Sequence, residues 1–200
     1  VHNGIIENYA AIKEELIGKG YEFVSQTDTE VIAHLVHYYY KGDLLGAVEN
    51  VLRRIRGAFA LAISCKDEPG RIVAARVAAP LVIALGENEN FVASDPMALA
   101  GVTDRYIYLE DGDVADVRQQ SAEIYNLQGD QFVRVERPVS VVQGFSQNIA
   151  LGPYTHYMQK EIFEQPQAIS DTLEGVVGIS SSIFGHETPA MFKRLKRVLI

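Results

Sequence analysis

Apolar residues recur at helical spacing over three early stretches of the chain. Asn8 to Lys19 carries Ile12, Leu16 and Ile17 on one side, with Asn8 as N-cap and Gly18 and Gly20 at the end. Thr29 to Tyr40 places Val31, Ile32, Leu35, Val36 and Tyr39 on one broad face. Asp43 to Arg54 repeats the pattern with Leu44, Ala47, Val48, Val51 and Leu52, and Asp43 caps it. Between the first two helices, Tyr21 to Ser25 reads as a short strand, and Val1-His2 as the end of a strand running into an Asn3-Gly4 turn.

After Arg54 the period shortens. Ala58–Ser64, Arg71–Arg76, Leu81–Leu85, Phe91–Ala93, Arg105–Leu109, Val114–Val117, Glu123–Asn126 and Gln131–Val135 are strand-like runs punctuated by Gly, Pro, Asp and Asn. Helices followed by a meander of antiparallel strands predict an α+β fold with sheet layers covered by helices. Pro138 to Pro153 loses periodicity and marks a boundary. Beyond it, His156–Glu164 and Pro166–Leu173 read as helices, Gly175–Gly185 as a Gly/Ser-rich loop, and Ala190–Arg197 as a short basic helix leading into an apolar strand start.

Composition narrows the classes. The net charge of -8 lacks the basic surface that nucleic-acid binding needs. One cysteine, Cys65, allows no intrachain disulfide and suits a reducing, cytoplasmic setting. No apolar run is long enough to span a bilayer as a helix, and no secretory signal opens the chain. A chain that opens on Val1 and closes on an apolar run, Arg197–Ile200, reads as a piece of something longer.

Two segments could carry chemistry. In His2-Asn3-Gly4, the Asn amide and the Gly N–H suit an oxyanion hole, although Asn-Gly alone is more often a tight turn. In Ser25-Gln26-Thr27-Asp28-Thr29-Glu30, Thr27 as N-cap with Glu30 makes a capping box that accounts for the polar residues. Asp28 could further pair with a ligand ammonium at a helix start. Other features read as bland: His34 and His37 as helix-face residues, Cys65 as a small structural residue, and Glu110-Asp111-Gly112-Asp113 as a solvated turn.

Taken together, His2-Asn3-Gly4 with Asn8, then Asp28-Thr29-Glu30-Val31-Ile32, resembles the glutaminase domain of class II glutamine amidotransferases. Ala74-Ala75-Arg76, Pro80–Ile83, Ala93-Ser94-Asp95 and the run His156–Pro166 make it most like the glucosamine-6-phosphate synthase branch. The resemblance implies the second half of an N-terminal-nucleophile hydrolase αββα sandwich over residues 1–140. It further implies an interdomain linker over 141–165 and the start of a sugar isomerase domain over 166–200. It assigns Asn3 and Gly4 to the oxyanion hole and Asp28 to the α-ammonium of glutamine.

The implied reaction moves the glutamine amide nitrogen to fructose 6-phosphate, giving glucosamine 6-phosphate and glutamate. In the family an N-terminal cysteine attacks the amide and forms a thioester. The parent would be a homo-oligomer using no metal or organic cofactor and binding neither nucleic acid nor membrane. These 200 residues hold neither that cysteine nor the sugar site, so the piece alone is expected to be inactive. Ala78-Ala79 departs from the Gly-Ser usual in the family before Pro80. Another class II amidotransferase, or a scaffold that kept the fold without the chemistry, remains the alternative reading.

Overall fold

A computed structural model describes residues 1–142, 151–173, 194 and 196. The chain divides into two compact units, Val1–Ile149 and Ala150–Ile200.

The first unit has helices α1 (Tyr9–Gly18), α2 (Thr29–Tyr39) and α3 (Leu44–Leu52) and strands β1 (His2–Ile6), β2 (Gly57–Ser64) and β3 (Arg71–Val77). Strands β4 (Val82–Leu85), β5 (Asn90–Ala93), β6 (Arg105–Tyr108), β7 (Asp113–Arg118), β8 (Ala122–Gln128), β9 (Gln131–Val135) and β10 (Val139–Val141) follow. They form a six-stranded sheet, β1-β2-β3-β7-β8-β9, and a four-stranded sheet, β10-β6-β4-β5. Every strand pairing is antiparallel.

Side-chain alternation along the strands decides what each face of the large sheet meets. Ile6, Phe59 and Leu61 pack with Ile12, Leu16, Val31, Ile32 and Leu35 of α1 and α2. Val73, Ala75 and Val114 pack with Leu44 and Val48 of α3. On the opposite face the small residues Ala60, Ala74 and Ala115 admit Ile83 and Ile107 of the second sheet and the flanking Leu81 and Leu109. The result is a helix–sheet–sheet stack in keeping with the predicted α+β class, but the strands do not run as a simple meander: the chain leaves the large sheet after β3 and returns to it at β7.

Four local readings are corrected. Tyr21–Ser25 is not a strand. Its alternation arises because Tyr21 and Phe23 pack onto the α1–α2 core, with no neighbouring strand to pair with. The Asn3-Gly4 pair is not a turn, because β1 runs through it as a continuous ladder with β2. Asn8 occupies the N-cap position of α1 without capping it. Its amide instead joins the ends of α1 and α3, donating to the Arg54 carbonyl at 2.8 Å and accepting from the Arg56 N–H at 2.9 Å. The acidic turn at 110–113 is only half solvated. Asp113 is fully buried, and Arg137 and Asn126 donate to its carboxylate at 2.8–2.9 Å. Asp43, by contrast, caps α3 as expected, accepting from the N–H groups of Leu45 and Gly46.

In the second unit one continuous helix, α4 (Tyr157–Thr172), replaces the two helices predicted, with Pro166 inside it. Pro removes one intrahelical hydrogen bond without breaking the helix here. The predicted loop 175–185 lies outside the described residues, as does nearly all of the predicted helix 190–197.

The β1–β2 ladder depends on two glycines. Gly4 has φ +115°, and a Cβ there would lie 2.0 Å from the Ala58 carbonyl oxygen. Gly57 has φ +130°, and a Cβ there would lie 2.1 Å from the Ile5 carbonyl oxygen. Gly57→Ala therefore combines backbone strain of about 1–3 kcal/mol with a clash against a strand that cannot yield. It should lower stability in urea unfolding well beyond Gly70→Ala, where φ is +77° and nothing lies within 4 Å.

The crossover from β3 to the second sheet shows the converse. Ala78 holds φ +60°, its N–H donating to Asp111 Oδ1 at 3.0 Å. A left-handed alanine costs about 1–2 kcal/mol, more than the chain entropy that glycine adds when unfolded. Ala78→Gly should stabilise the protein by ~0.5–1 kcal/mol in the same measurement.

Candidate functional site at the open edge of β1

β1 is an edge strand, with β2 on one side and no strand on the other among the described residues. Its hydrogen-bonding register follows from its ends. Val1 and Ala62 exchange both backbone hydrogen bonds, at 2.8 and 3.0 Å, and the Glu7 N–H donates to the Arg56 carbonyl at 2.8 Å. With the constant pairing between these points, Val1, Asn3, Ile5 and Glu7 face β2 through their backbone groups. The N–H groups of His2, Gly4 and Ile6 then face the open side.

The start of α2 lies along that open side. The Ile6 N–H donates to Asp28 Oδ2 at 2.7 Å. His2 Nδ1 and Thr29 Oγ1 are 2.9 Å apart. Consecutive residues 28 and 29 thus meet β1 at positions 6 and 2, and Gly4 lies between the two contacts. Two residues of strand separate Gly4 from Ile6, about 7 Å along the edge. Asn3 stands on the other face of the strand. Its ladder partner is Ala60, which packs between the sheets, and the Asn3 side chain is exposed at the sheet margin. The edge therefore places Asp28 beside the strand that carries Gly4, while the Asn3 side chain stands on the opposite face.

Asp28 is half-buried, and only one of its carboxylate oxygens is taken by Ile6. It occupies the N-cap position of α2 but makes no side-chain cap there, so Oδ1 keeps its acceptor capacity. This corrects the capping-box reading. Thr27 does not cap the helix, and Glu30 does not reach back to Thr27. The Glu30 carboxylate instead accepts from the Val24 N–H at 2.8 Å, the Ser25 N–H at 2.7 Å and the Ser25 hydroxyl at 2.6 Å. These bonds, led by the Ser25 hydroxyl, hold the Glu30 carboxyl down at about 2. The sequence signal for them was the Ser25 to Glu30 spacing, which the capping-box pattern obscured.

His2 completes the edge. Its Nε2 is buried without a hydrogen-bond partner among the described residues. Burial pushes its pKa below the ordinary 6.5, and the Asp28 charge opposes that shift. Among the described residues no three His, Cys, Asp or Glu side chains gather to hold a metal ion, and no helix is long and apolar enough to cross a membrane. His34 packs its ring on Tyr21 and Phe23, with centroids 5.0 and 4.5 Å away, and serves α2 packing.

A group whose folded pKa is lowered contributes stability that is present above its unfolded value and lost on acidification. The His2 contribution should therefore be complete above pH 6.5 and decline as pH falls below it. Urea unfolding of wild type and of His2→Asn at about pH 7.5 and about pH 5 checks this. The wild type should lose more stability on acidification than the variant.

Comparison with known proteins adds the following. Residues 1–101 match a family model described as a glutamine amidotransferase domain. A protein of Bordetella pertussis named glutamine–fructose-6-phosphate aminotransferase [isomerizing] is 53% identical over 200 residues, covering 100% of this chain and 32% of that protein. A Xylella fastidiosa protein of the same name is 44% identical over 205 residues, covering 100% of this chain and 33% of its own length. The chain thus spans about a third of the length of these relatives. Among solved structures, glutamine phosphoribosylpyrophosphate amidotransferase from B. subtilis, complexed with ADP and GMP, superposes with a TM-score of 0.55 at 27% identity, covering 62% of this chain and 28% of that one.

Proposed function

Because the chain belongs to the glutamine amidotransferase domain family, we propose that the open edge of β1 is half of a glutamine-hydrolysing site. The parent protein is then a glutamine–fructose-6-phosphate aminotransferase. The observation that carries this reading is the Asp28 carboxylate bonded to the Ile6 N–H, one strand repeat from the Gly4 N–H on the same edge.

The chemistry follows from that spacing. Attack on a carboxamide carbon puts negative charge on the carbonyl oxygen, which needs donors fixed before the reaction. The Gly4 N–H, facing away from β2, and the Asn3 side-chain amide supply them. Gly4 suits the role because its positive φ and missing Cβ let the strand keep its register while the edge stays open. The free Oδ1 of Asp28 accepts from the α-ammonium at the other end of the same glutamine. In this reading the nucleophile and the groups that grip the α-carboxylate come from parts of the protein outside these 200 residues.

The released nitrogen passes to fructose 6-phosphate to give glucosamine 6-phosphate and glutamate. In keeping with this, residues 1–140 belong to the amidotransferase domain, 141–165 to a linker and 166–200 to the start of a sugar isomerase domain, in a cytoplasmic homo-oligomer. The likeness to the phosphoribosylpyrophosphate amidotransferase covers 62% of the chain, whereas relatives bearing the fructose-6-phosphate name match its whole length. The second comparison favours fructose 6-phosphate as acceptor.

Assays belong on the full-length protein that carries this chain. Asn3→Ala should lower glutamine turnover about 10²–10³-fold with little change in KM. Asp28→Asn should raise the KM for glutamine and leave the saturated rate nearly intact, since binding of the ammonium is shared by ground and transition states. Glutamate release that depends on phosphoribosylpyrophosphate and not on fructose 6-phosphate would overturn the acceptor assignment. Unchanged kinetics in both variants would overturn the site.

A further inference from the structure

Asp28 reaches β1 from a helix end that has no side-chain cap of its own. The first N–H groups of a helix lack intrahelical partners, and a missing cap commonly costs about 1 kcal/mol and frays the first turn. Freed from capping, the Asp28 side chain can serve the edge of β1, but something else must keep residue 28 in place. The structure offers one device for this. Glu30, in the first turn of α2, draws the Val24 N–H, the Ser25 N–H and the Ser25 hydroxyl onto one carboxylate.

The approach segment is anchored on its far side as well. The Phe23 and Tyr21 rings pack on His34 of α2, and Lys13 Nζ sits 4.9 Å over the Phe23 ring. Ser25 Oγ also lies 2.9 Å from Thr27 Oγ1 and accepts from the Thr27 N–H at 3.3 Å. Residues 24–27 are thus folded back over the helix start with Glu30 at the centre of the knot. Asp28 is the next residue, held between this knot and the Ile6 N–H.

We infer that Glu30 is a positioning residue for recognition of the substrate's α-ammonium: it fixes residues 24–28 against α2 so that the free oxygen of Asp28 points into the site. This rests on the reading of Asp28 given above. Glu30 touches no substrate, because both of its oxygens are engaged with Val24 and Ser25.

The test uses the full-length protein with two substrates, glutamine and 4-carbamoylbutanoate, which is glutamine without its α-ammonium. The preference is the ratio of kcat/KM between them. In the wild type it should be large, and Asp28→Asn should abolish it. Glu30→Gln keeps volume but presents an amide in place of one acceptor oxygen. It should shrink the preference about tenfold, the worth of one misaligned charge-assisted hydrogen bond, while leaving kcat/KM for 4-carbamoylbutanoate nearly unchanged. Ser25→Ala removes one contact only and should move the ratio the same way by less, which keeps the test open if Glu30→Gln folds poorly.

Equal loss on both substrates in Glu30→Gln and Ser25→Ala would mean a merely structural role and overturn the inference. An intact preference in both, beside a lost preference in Asp28→Asn, would overturn it as well. An intact preference in Asp28→Asn would instead overturn the Asp28 assignment itself.

Discussion

The hydrogen bond from the Ile6 N–H to Asp28 fixes the start of α2 against the open edge of β1, beside the core contacts that Ile6 already makes with α2. An unpaired strand edge leaves a row of backbone donors without partners. Here one of those donors is met by a carboxylate from the start of α2, and a His–Thr contact closes the same edge four residues away. The groups between them are held at a fixed distance by the strand itself. Geometry set by a β-ladder is rigid, because each residue is tied to the neighbouring strand. A site built on it changes little with motion in surrounding loops.

That rigidity depends on glycine at two adjoining places. Gly4 and Gly57 sit on opposite strands, and each brings its Cα against the carbonyl of the other strand. The left-handed conformations at these positions twist the ladder without losing register. The alternation of the ladder turns the Gly4 N–H to the open side, as it does those of His2 and Ile6. Structure and proposed chemistry therefore make one demand on Gly4 for two reasons, steric and catalytic.

Polar groups in the rest of the unit serve the fold. Arg71 donates to both Asp116 oxygens at 2.8 Å and also contacts Asp43 and Glu68, which ties β3, β7 and the start of α3 together. Arg137 does the same for the Asp113 turn. Removing one partner of such a buried pair leaves a charge without compensation, so these clusters are expensive to disturb and unsuited to chemistry. The contrast with Asp28 is informative, since its carboxylate is only half used.

Much was legible in the sequence because local periodicity and burial are tightly coupled. Helical spacing placed α1, α2 and α3, and alternation located the strands of both sheets except β10, which lies in the stretch read as a boundary, and most of β1, which read as a turn. The Asn3-Gly4 and Asp28 segments were also legible as candidates. Their meaning was not. Asn-Gly reads as a turn unless a second strand supplies the ladder that makes its positive φ tolerable, and that strand, β2, lies more than fifty residues on. Glu30 reads as half of a capping box, because spacing alone cannot say which backbone N–H groups a carboxylate will find. The alternation in Tyr21–Ser25 predicts a strand, but a strand exists only where a neighbour pairs with it. Residue type and period belong to the chain itself. Which edge is open, which oxygen is left free and which N–H faces outward are decided only when distant segments meet.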